Sequence, residues 1–368
     1  MWQMSGVPWH EARCAEPEDM VRIAWVNATK KWGGVKTWFL TFAREMRELG
    51  HENFVWARPG VFLDRCREEL GHGKAVSFGP DFNPVSIGRF MAAFARARID
   101  VLVINVGKDL TTAGVAARLL GIPVVQRIGL PGDIALKERT RRVHQWIRPH
   151  FLCPCRFIAD GFLRNLPYVR PEDVHVVLNG KIPARSCTRP GTPRELVMTA
   201  QLIKTKRHEV VLEAMQGLEN CRLNIVGTGD RDEELAALSR ELGVDDRVVF
   251  SGFSKDVESV LARSDVFVLS STSEGLPNTL LEAMACGVLP VSRDVGGVRE
   301  VWPDELDEFL LPGNAGPAEF RDALRTVVAL PDETLQAHKE QARTACAERF
   351  HLKKQARRFE AWLENLPR

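Results

Sequence analysis

No apolar run in this sequence approaches the roughly 18 residues that a membrane-spanning helix needs. Residues 1–20 are polar and acidic and are interrupted by Pro8 and Pro17, so they read as a polar N-terminal extension and not as a signal peptide. Charge of one sign is lacking as well: 50 Lys and Arg stand against 48 Asp and Glu, a net of +2. That balance supplies no global basic field and argues against a nucleic-acid partner. Eight cysteines are scattered along the chain, and only Cys153-Pro154-Cys155 come close, with one residue between them where zinc knuckles have two or more. They read as reduced thiols of a cytoplasmic protein. Short-period repeats and low-complexity tracts are absent, and a 45% hydrophobic share beside 27% charged residues excludes wholesale disorder.

What is present is a long alternation of short apolar runs with helical periods over 368 residues, more than one ordinary domain accommodates. Val21 to Asn27 reads as a strand, followed by a turn at Gly33-Gly34, a helix to about Leu49 with Gly50 as its stop, and a strand at Phe54 to Ala57. The pattern recurs through Ile87–Arg98 (helix), Val101–Asn105 (strand), Ile122–Arg127 (strand) and a basic helix from Lys137 to Ile147. Residues 181–194 carry Pro183, Pro190, Gly191 and Pro193, which break both periodicities and mark a linker, set at 186–194. A second alternating block runs from Glu195 to Ser292, and two or three helices follow from Pro317. The expectation is an α/β protein of two similar Rossmann-like domains, each a parallel sheet covered on both faces, with ligands beyond the carboxyl ends of the strands.

The most informative stretch is Ser273-Glu274-Gly275-Leu276-Pro277-Asn278-Thr279-Leu280-Leu281-Glu282-Ala283-Met284-Ala285-Cys286-Gly287, which follows a strand and opens a helix. A helix N-terminus presents unpaired N–H groups and positive potential, suited to a phosphate or an anionic leaving group. Glu274 and Glu282 bracket it and can receive sugar or ribose hydroxyls. Thr279 with Glu282 also fits a capping box, in which the glutamate would only satisfy a backbone N–H, and Glu274 also fits a solvated loop acid.

This stretch resembles the paired-glutamate motif of retaining nucleotide-sugar glycosyltransferases of family four, which have the GT-B fold. Ile225-Val226-Gly227-Thr228-Gly229, Val249-Phe250-Ser251-Gly252-Phe253, Ser264 to Ser270 and Val295-Gly296-Gly297-Val298-Arg299-Glu300 match it in order and spacing. Weaker matches are Trp32-Gly33-Gly34-Val35, Gly121 to Val125 and Asn179-Gly180. The resemblance implies two domains facing a central cleft. An acceptor-binding domain would occupy 21–185, a donor-binding domain 195–345, and a C-terminal helical segment, 346–368, would cross back onto the N-domain.

It further implies that Glu282 binds the donor ribose and Glu274 the transferred sugar. Backbone N–H groups from Gly275 through Leu276, Asn278 and Thr279 would hold diphosphate and sugar, and Lys206 the diphosphate. Gln201 stands where the family more often has arginine, with Lys204 or Arg207 as substitutes for its charge. Phe253 would border the nucleobase, although a phenylalanine after a strand also fits the core. Gly33 and Gly34, lacking Cβ and free to take positive φ, would let the backbone approach donor or acceptor.

Many relatives carry one or two histidines in the N-domain cleft, where this chain has Val103, Asn105 and Ile128; Arg127, Lys108 and Asp109 are the charged groups at the strand ends there, Arg127 being the candidate to assist catalysis, and each also fits a plain surface charge. The implied reaction is front-face displacement with retention, needing no metal and no cofactor. Asp230-Arg231-Asp232 mimics a metal-binding acid pair but opens a helix, where acids suit the dipole.

For the acceptor, a saccharide or lipid-linked glycan, Trp25, Trp32 and Trp38 offer faces for sugar rings, although core packing suits Trp25 better. The basic amphiphilic stretches Lys137–Arg148 and Arg89–Arg98, the latter with Phe90, Met91 and Phe94, suit contact with the inner face of a membrane, and equally fit solvated helix faces that pack their apolar sides inward. The reading is therefore a hexosyltransferase of cell-surface polysaccharide or glycoconjugate synthesis, using uridine diphosphate sugars first and guanosine diphosphate sugars second. The alternative, drawn from Gln201 and the missing histidine, is a non-catalytic sugar-nucleotide-binding subunit of a glycosyltransferase complex. A nicotinamide dehydrogenase fails because Gly227-Thr228-Gly229-Asp230-Arg231-Asp232 lacks the third glycine of GxGxxG.

Overall fold

The computed structural model describes residues 20–29, 33–184 and 188–367. Residues 1–19 of the N-terminal extension, Trp32, and Ser186 and Cys187 of the linker lie outside the described residues. The chain divides into two compact units: one takes the residues through Arg127, Lys137–Phe151 and the end from Phe359, the other Ile128–Leu136 and Leu152–Arg358.

The first sheet has seven strands, β1 (Arg22–Asn27), β2 (Glu52–Ala57), β3 (Lys74–Ala75), β4 (Val101–Ile104), β5 (Val124–Arg127), β6 (His150–Cys153) and β7 (Val174–Val176), in the order β3-β2-β1-β4-β5-β6-β7. The second has six, β8 (Arg194–Thr199), β9 (Cys221–Val226), β10 (Val248–Gly252), β11 (Val266–Leu269), β12 (Leu289–Arg293) and β13 (Leu310–Leu311), in the order β10-β9-β8-β11-β12-β13. β1 pairs parallel with β2 and β4, and β8 with β9 and β11. β4, β5, β11 and β12 are buried along their whole lengths, as parallel strands covered on both faces must be. This is the two-domain Rossmann-like architecture of the GT-B fold.

Helix Gly34–Glu48 shows how the first unit's core is built. Its buried residues include Trp38, Phe39, Phe42, Ala43 and Met46, one apolar stripe at helical spacing. The stripe packs on Trp25 of β1 and on Phe359 of the last helix, Leu352–Glu364, with ring centroids 5.6–6.1 Å apart between Phe359 and Trp25, Trp38 and Phe42. His51 ties that helix by its Nε2, 2.9 Å from Glu360, while its Nδ1 accepts the Val21 N–H. The last helix thus starts in the second unit and ends packed within the first.

One expectation about surfaces is corrected. Trp38 is 5% exposed and so presents no face to a sugar ring, whereas Trp25, 0% exposed with its indole N–H donated to Asn53, takes the core place that suits it better. Helix Pro84–Ala97 turns Phe90 and Phe94 inward against Phe78 and Trp56, so its basic residues do not border an exposed aromatic face there.

Candidate functional site

The donor-type residues of the second unit gather at the carboxyl end of β11. Ser270, directly after that strand, donates its hydroxyl to the carbonyls of Lys206 and Arg207 at 2.9 and 3.0 Å, and Thr272 donates its N–H to Thr205 at 2.9 Å. These bonds hold the short turn Lys204–Lys206 against the strand end. Buried Arg293 braces the arrangement from below, giving Nη1 to the Ser270 carbonyl at 2.7 Å and Nε to Ala315 at 2.8 Å. Neither Ser270 nor Arg293 was marked as a site residue by sequence.

The consequence is an ion pair between Lys206 Nζ and Glu274 Oε1 at 2.7 Å, with side chains 23% and 11% exposed. Glu274 is therefore a held carboxylate and not a solvated loop acid. Four residues on, helix Asn278–Ala285 begins with Pro277 as its N-cap, no side chain caps it and its first turn carries no acid. Its first N–H groups have no intrahelical acceptors, which leaves positive potential pointing out of the N-terminus.

Glu282 lies one turn up that helix. Its Oε1 accepts from Lys181 Nζ at 2.6 Å, so its carboxylate reaches a side chain from elsewhere in the unit instead of closing a capping box with Thr279. Asn179 Nδ2 donates to Asn278 Oδ1 at 2.7 Å on the same helix.

Glycines let this loop pack. A Cβ on Gly296, at φ +61°, would stand 1.9 Å from the Glu274 carbonyl oxygen, and one on Gly297 would stand 2.5 Å from that of Gly275. The Gly297 N–H donates to the Gly275 carbonyl at 2.8 Å. On its other side Gly275 faces Gly129 O, Ile158 and Leu130, all 3.1–3.2 Å from where its Cβ would be. Glu300 completes the support, accepting the N–H groups of Arg156 and Phe157 at 2.7 Å each and so capping helix Arg156–Asn165. The pair Gly227 and Gly229 does the same for the neighbouring loop, whose Cβ positions would fall 1.9 and 2.2 Å from the carbonyls of Ala200 and Leu202.

Other candidates take varied places. Gln201 and Lys204 are exposed, whereas Arg207 is engaged by Glu209 at 2.6 Å and so does not stand free to replace a missing arginine. Burial works against the Glu209 carboxylate, but Arg231 at 2.7 Å and Arg207 hold it below its usual range. Phe253, after β10, is 72% exposed and is not a core residue. Asp232 accepts the Gly229 N–H at 3.1 Å at the start of helix Asp232–Glu241.

Arg127, Gly33 and Gly34 belong to the first unit. Arg127 is no surface charge: it is 5% exposed, with its guanidinium 4.6 Å from the Trp38 ring centroid. Gly33 has φ −179°, an extended conformation open to any residue, and nothing lies within 4 Å of its Cβ position, so backbone geometry does not require glycine there. Asp109 is fully buried and accepts from the N–H groups of Ala28, Asn105 and Val106 at 2.7–3.2 Å, joining the ends of β1 and β4; burial pushes its carboxyl up to about 7.

Comparison with known proteins agrees with this anatomy. Residues 32–183 match the family model described as Glycosyltransferase Family 4, and residues 184–345 match Glycosyl transferases group 1. The lipopolysaccharide core biosynthesis glycosyltransferase LpsE of Rhizobium meliloti is 32% identical over 340 residues, covering 87% of this chain and 90% of the relative. LpsD of the same organism is 24% identical over 334 residues, covering 86% and 92%. Among solved structures, the Anabaena protein HepE in complex with UDP superposes with a TM-score of 0.81 at 19% identity, over 94% of this chain and 100% of that one. A glycosyltransferase from Rickettsia africae gives 0.80 at 15% identity, over 94% and 98%. With a relative 32% identical over 87% of the chain, and with family models matching residues 32–183 and 184–345, the chain belongs to glycosyltransferase family 4.

Proposed function

We propose that the protein is a retaining hexosyltransferase whose second unit binds a nucleoside-diphosphate sugar, a uridine diphosphate sugar before a guanosine diphosphate one. Its acceptor is a saccharide or lipid-linked glycan of cell-surface polysaccharide or glycoconjugate synthesis. The observation that carries this reading is the Lys206–Glu274 pair at 2.7 Å, placed four residues ahead of an uncapped helix N-terminus. A cation and a set of free N–H groups suit a diphosphate, and a carboxylate beside them suits sugar hydroxyls. LpsE and LpsD, named for lipopolysaccharide core biosynthesis, support the acceptor class, and HepE solved with UDP supports the donor class.

In the proposed reaction the bond from the sugar's anomeric carbon to the donor phosphate breaks while the acceptor oxygen bonds to the same carbon from the same face. The acceptor's proton passes to the departing diphosphate, so no imidazole base is needed. Lys206 and the N–H groups from Gly275 to Thr279 stabilise the negative charge that grows on the leaving phosphate, and interactions stronger in the transition state than before it are the ones that accelerate transfer. Glu274 orients the sugar, Glu282 takes ribose hydroxyls and Phe253 borders the base. Protein groups supply the positive charge, so the reaction proceeds without a metal or cofactor.

Calorimetry with uridine and guanosine diphosphates in the presence of a chelator tests the donor role. One of the two binds the wild type, and Glu282→Ala weakens it by about tenfold or more, the worth of a hydrogen bond to a charged group. Failure of both nucleotides to bind overturns the reading.

The peripheral surface is proposed for helix Glu138–Ile147 alone. No helix among the described residues is long and apolar enough to cross a membrane. Arg139, Arg141 and Arg142 are exposed there beside Trp146, 46% exposed, although Arg139 also pairs with Asp81 and Arg142 with Glu138. Arginines around an exposed tryptophan suit an anionic lipid surface. Co-sedimentation with anionic vesicles that weakens as salt rises and in Trp146→Ala is the expected result; equal recovery with neutral and anionic vesicles contradicts it.

A further inference from the structure

The ammonium of Lys181 is the group that meets Glu282, at 2.6 Å. The segment carrying it is held firmly. The Lys181 N–H donates to the Phe350 carbonyl at 2.9 Å, and its carbonyl accepts from Leu352 at 3.0 Å. Gly180 packs so closely that a Cβ there would stand 2.5 Å from the Leu352 Cα. Asn179 and Lys181 are two residues apart, and both side chains reach the same helix, Asn278–Ala285. Asn278 and Glu282 are four apart on a helix, so both lie on one face. The two pairs meet as two parallel clasps, Asn179 to Asn278 at 2.7 Å and Lys181 to Glu282 at 2.6 Å.

We propose that Lys181 is a positioning residue for nucleotide recognition. By binding Oε1 it fixes the Glu282 side chain so that Oε2 is presented to the ribose hydroxyls, and it thereby sets how strongly the protein distinguishes a ribonucleotide from a deoxyribonucleotide. Both side chains are partly exposed, 23% for Lys181 and 30% for Glu282, so the carboxylate is within reach of a ligand while held from behind. A glutamate without this clasp samples several rotamers and loses entropy when it binds; a clasped one has lost that freedom already. This inference rests on the ribose role proposed above for Glu282.

The experiment measures, by calorimetry, affinities of the wild type, Lys181→Met, Lys181→Arg and Glu282→Ala for the diphosphate that binds and for its 2′-deoxy and 3′-deoxy analogues. The wild type is expected to prefer the ribonucleotide by about tenfold or more over at least one deoxy analogue. Lys181→Met is expected to lose most of that preference and Lys181→Arg to recover it, since an arginine restores the cation. The backbone bonds to Phe350 and Leu352 survive these substitutions, and Lys181→Gln replaces the methionine variant if the latter does not fold. A ribose preference abolished in Glu282→Ala but intact in Lys181→Met overturns the inference and leaves the ribose role standing. A preference intact in Glu282→Ala overturns the ribose role and the inference with it.

Discussion

Glu274→Ala is expected to lower turnover by about 100-fold or more while the free nucleotide still binds. The substitution removes the carboxylate that would orient the transferred sugar and frees Lys206, whose ammonium it holds at 2.7 Å. Free nucleotide lacks the sugar, so its affinity depends on Lys206, the helix N-terminus and Glu282, which the substitution leaves in place. Lys206→Met gives the complementary result, because it removes a cation from the leaving phosphate. Turnover falls about 100- to 1,000-fold, the range seen when one charge-stabilising donor is removed, and diphosphate affinity falls with it. Steady-state rates paired with calorimetry on both variants separate the two roles. Undiminished turnover in Glu274→Ala contradicts the assignment outright, and the double variant tests the pair, since neighbours that act as a unit do not add.

Gly296→Ala carries the second largest effect. Its Cβ would have to share space with the Glu274 carbonyl, 1.9 Å away, and its φ of +61° costs a non-glycine residue about 1–3 kcal/mol by itself. Relief comes only by moving the backbone of Glu274 and Gly275, which carries the site. Both melting temperature and donor affinity are therefore expected to fall. Gly121→Ala is the control: φ is +72° there, but nothing lies within 4 Å, so stability declines through strain alone and the donor still binds. Unchanged donor affinity in Gly296→Ala would contradict the view that this turn shapes the loop.

The contrast between these glycines illustrates what the sequence makes legible. Short apolar runs in regular alternation with helical periods are a local signal, and β4, β5 and helix Gly34–Glu48 stand within a residue or two of where that signal puts them. The stop at Gly50 is local too: φ is +96° and its N–H returns to Arg47. Helix Arg156–Asn165 escaped detection because its cap comes from Glu300, 144 residues away, and because Gly161 interrupts a good helical pattern for a packing reason, its Cβ position lying 2.7 Å from Pro131.

The same division applies to the site. The resemblance singles out Glu274, Glu282 and Lys206, but Lys181 is 101 residues from Glu282 and follows Asn179-Gly180 where the linker signal begins. No spacing rule joins such residues; only the strap at Phe350 and Leu352 does. Trp38 was misread for the opposite reason. Its place in a stripe with Phe39, Phe42 and Met46 signalled burial, and that periodic signal outweighs the appeal of an aromatic ring near a glycine turn.

The central claim is retaining transfer from a nucleoside-diphosphate sugar by the site around Glu274 and Lys206. The most direct test is a proton and phosphorus NMR time course of the wild type with α-linked uridine and guanosine diphosphate sugars and a saccharide acceptor panel. The account predicts release of one nucleoside diphosphate together with an α-linked product, both lost in Glu274→Ala. A β-linked product would contradict retention, and binding of donor with no release against any acceptor would favour a non-catalytic subunit.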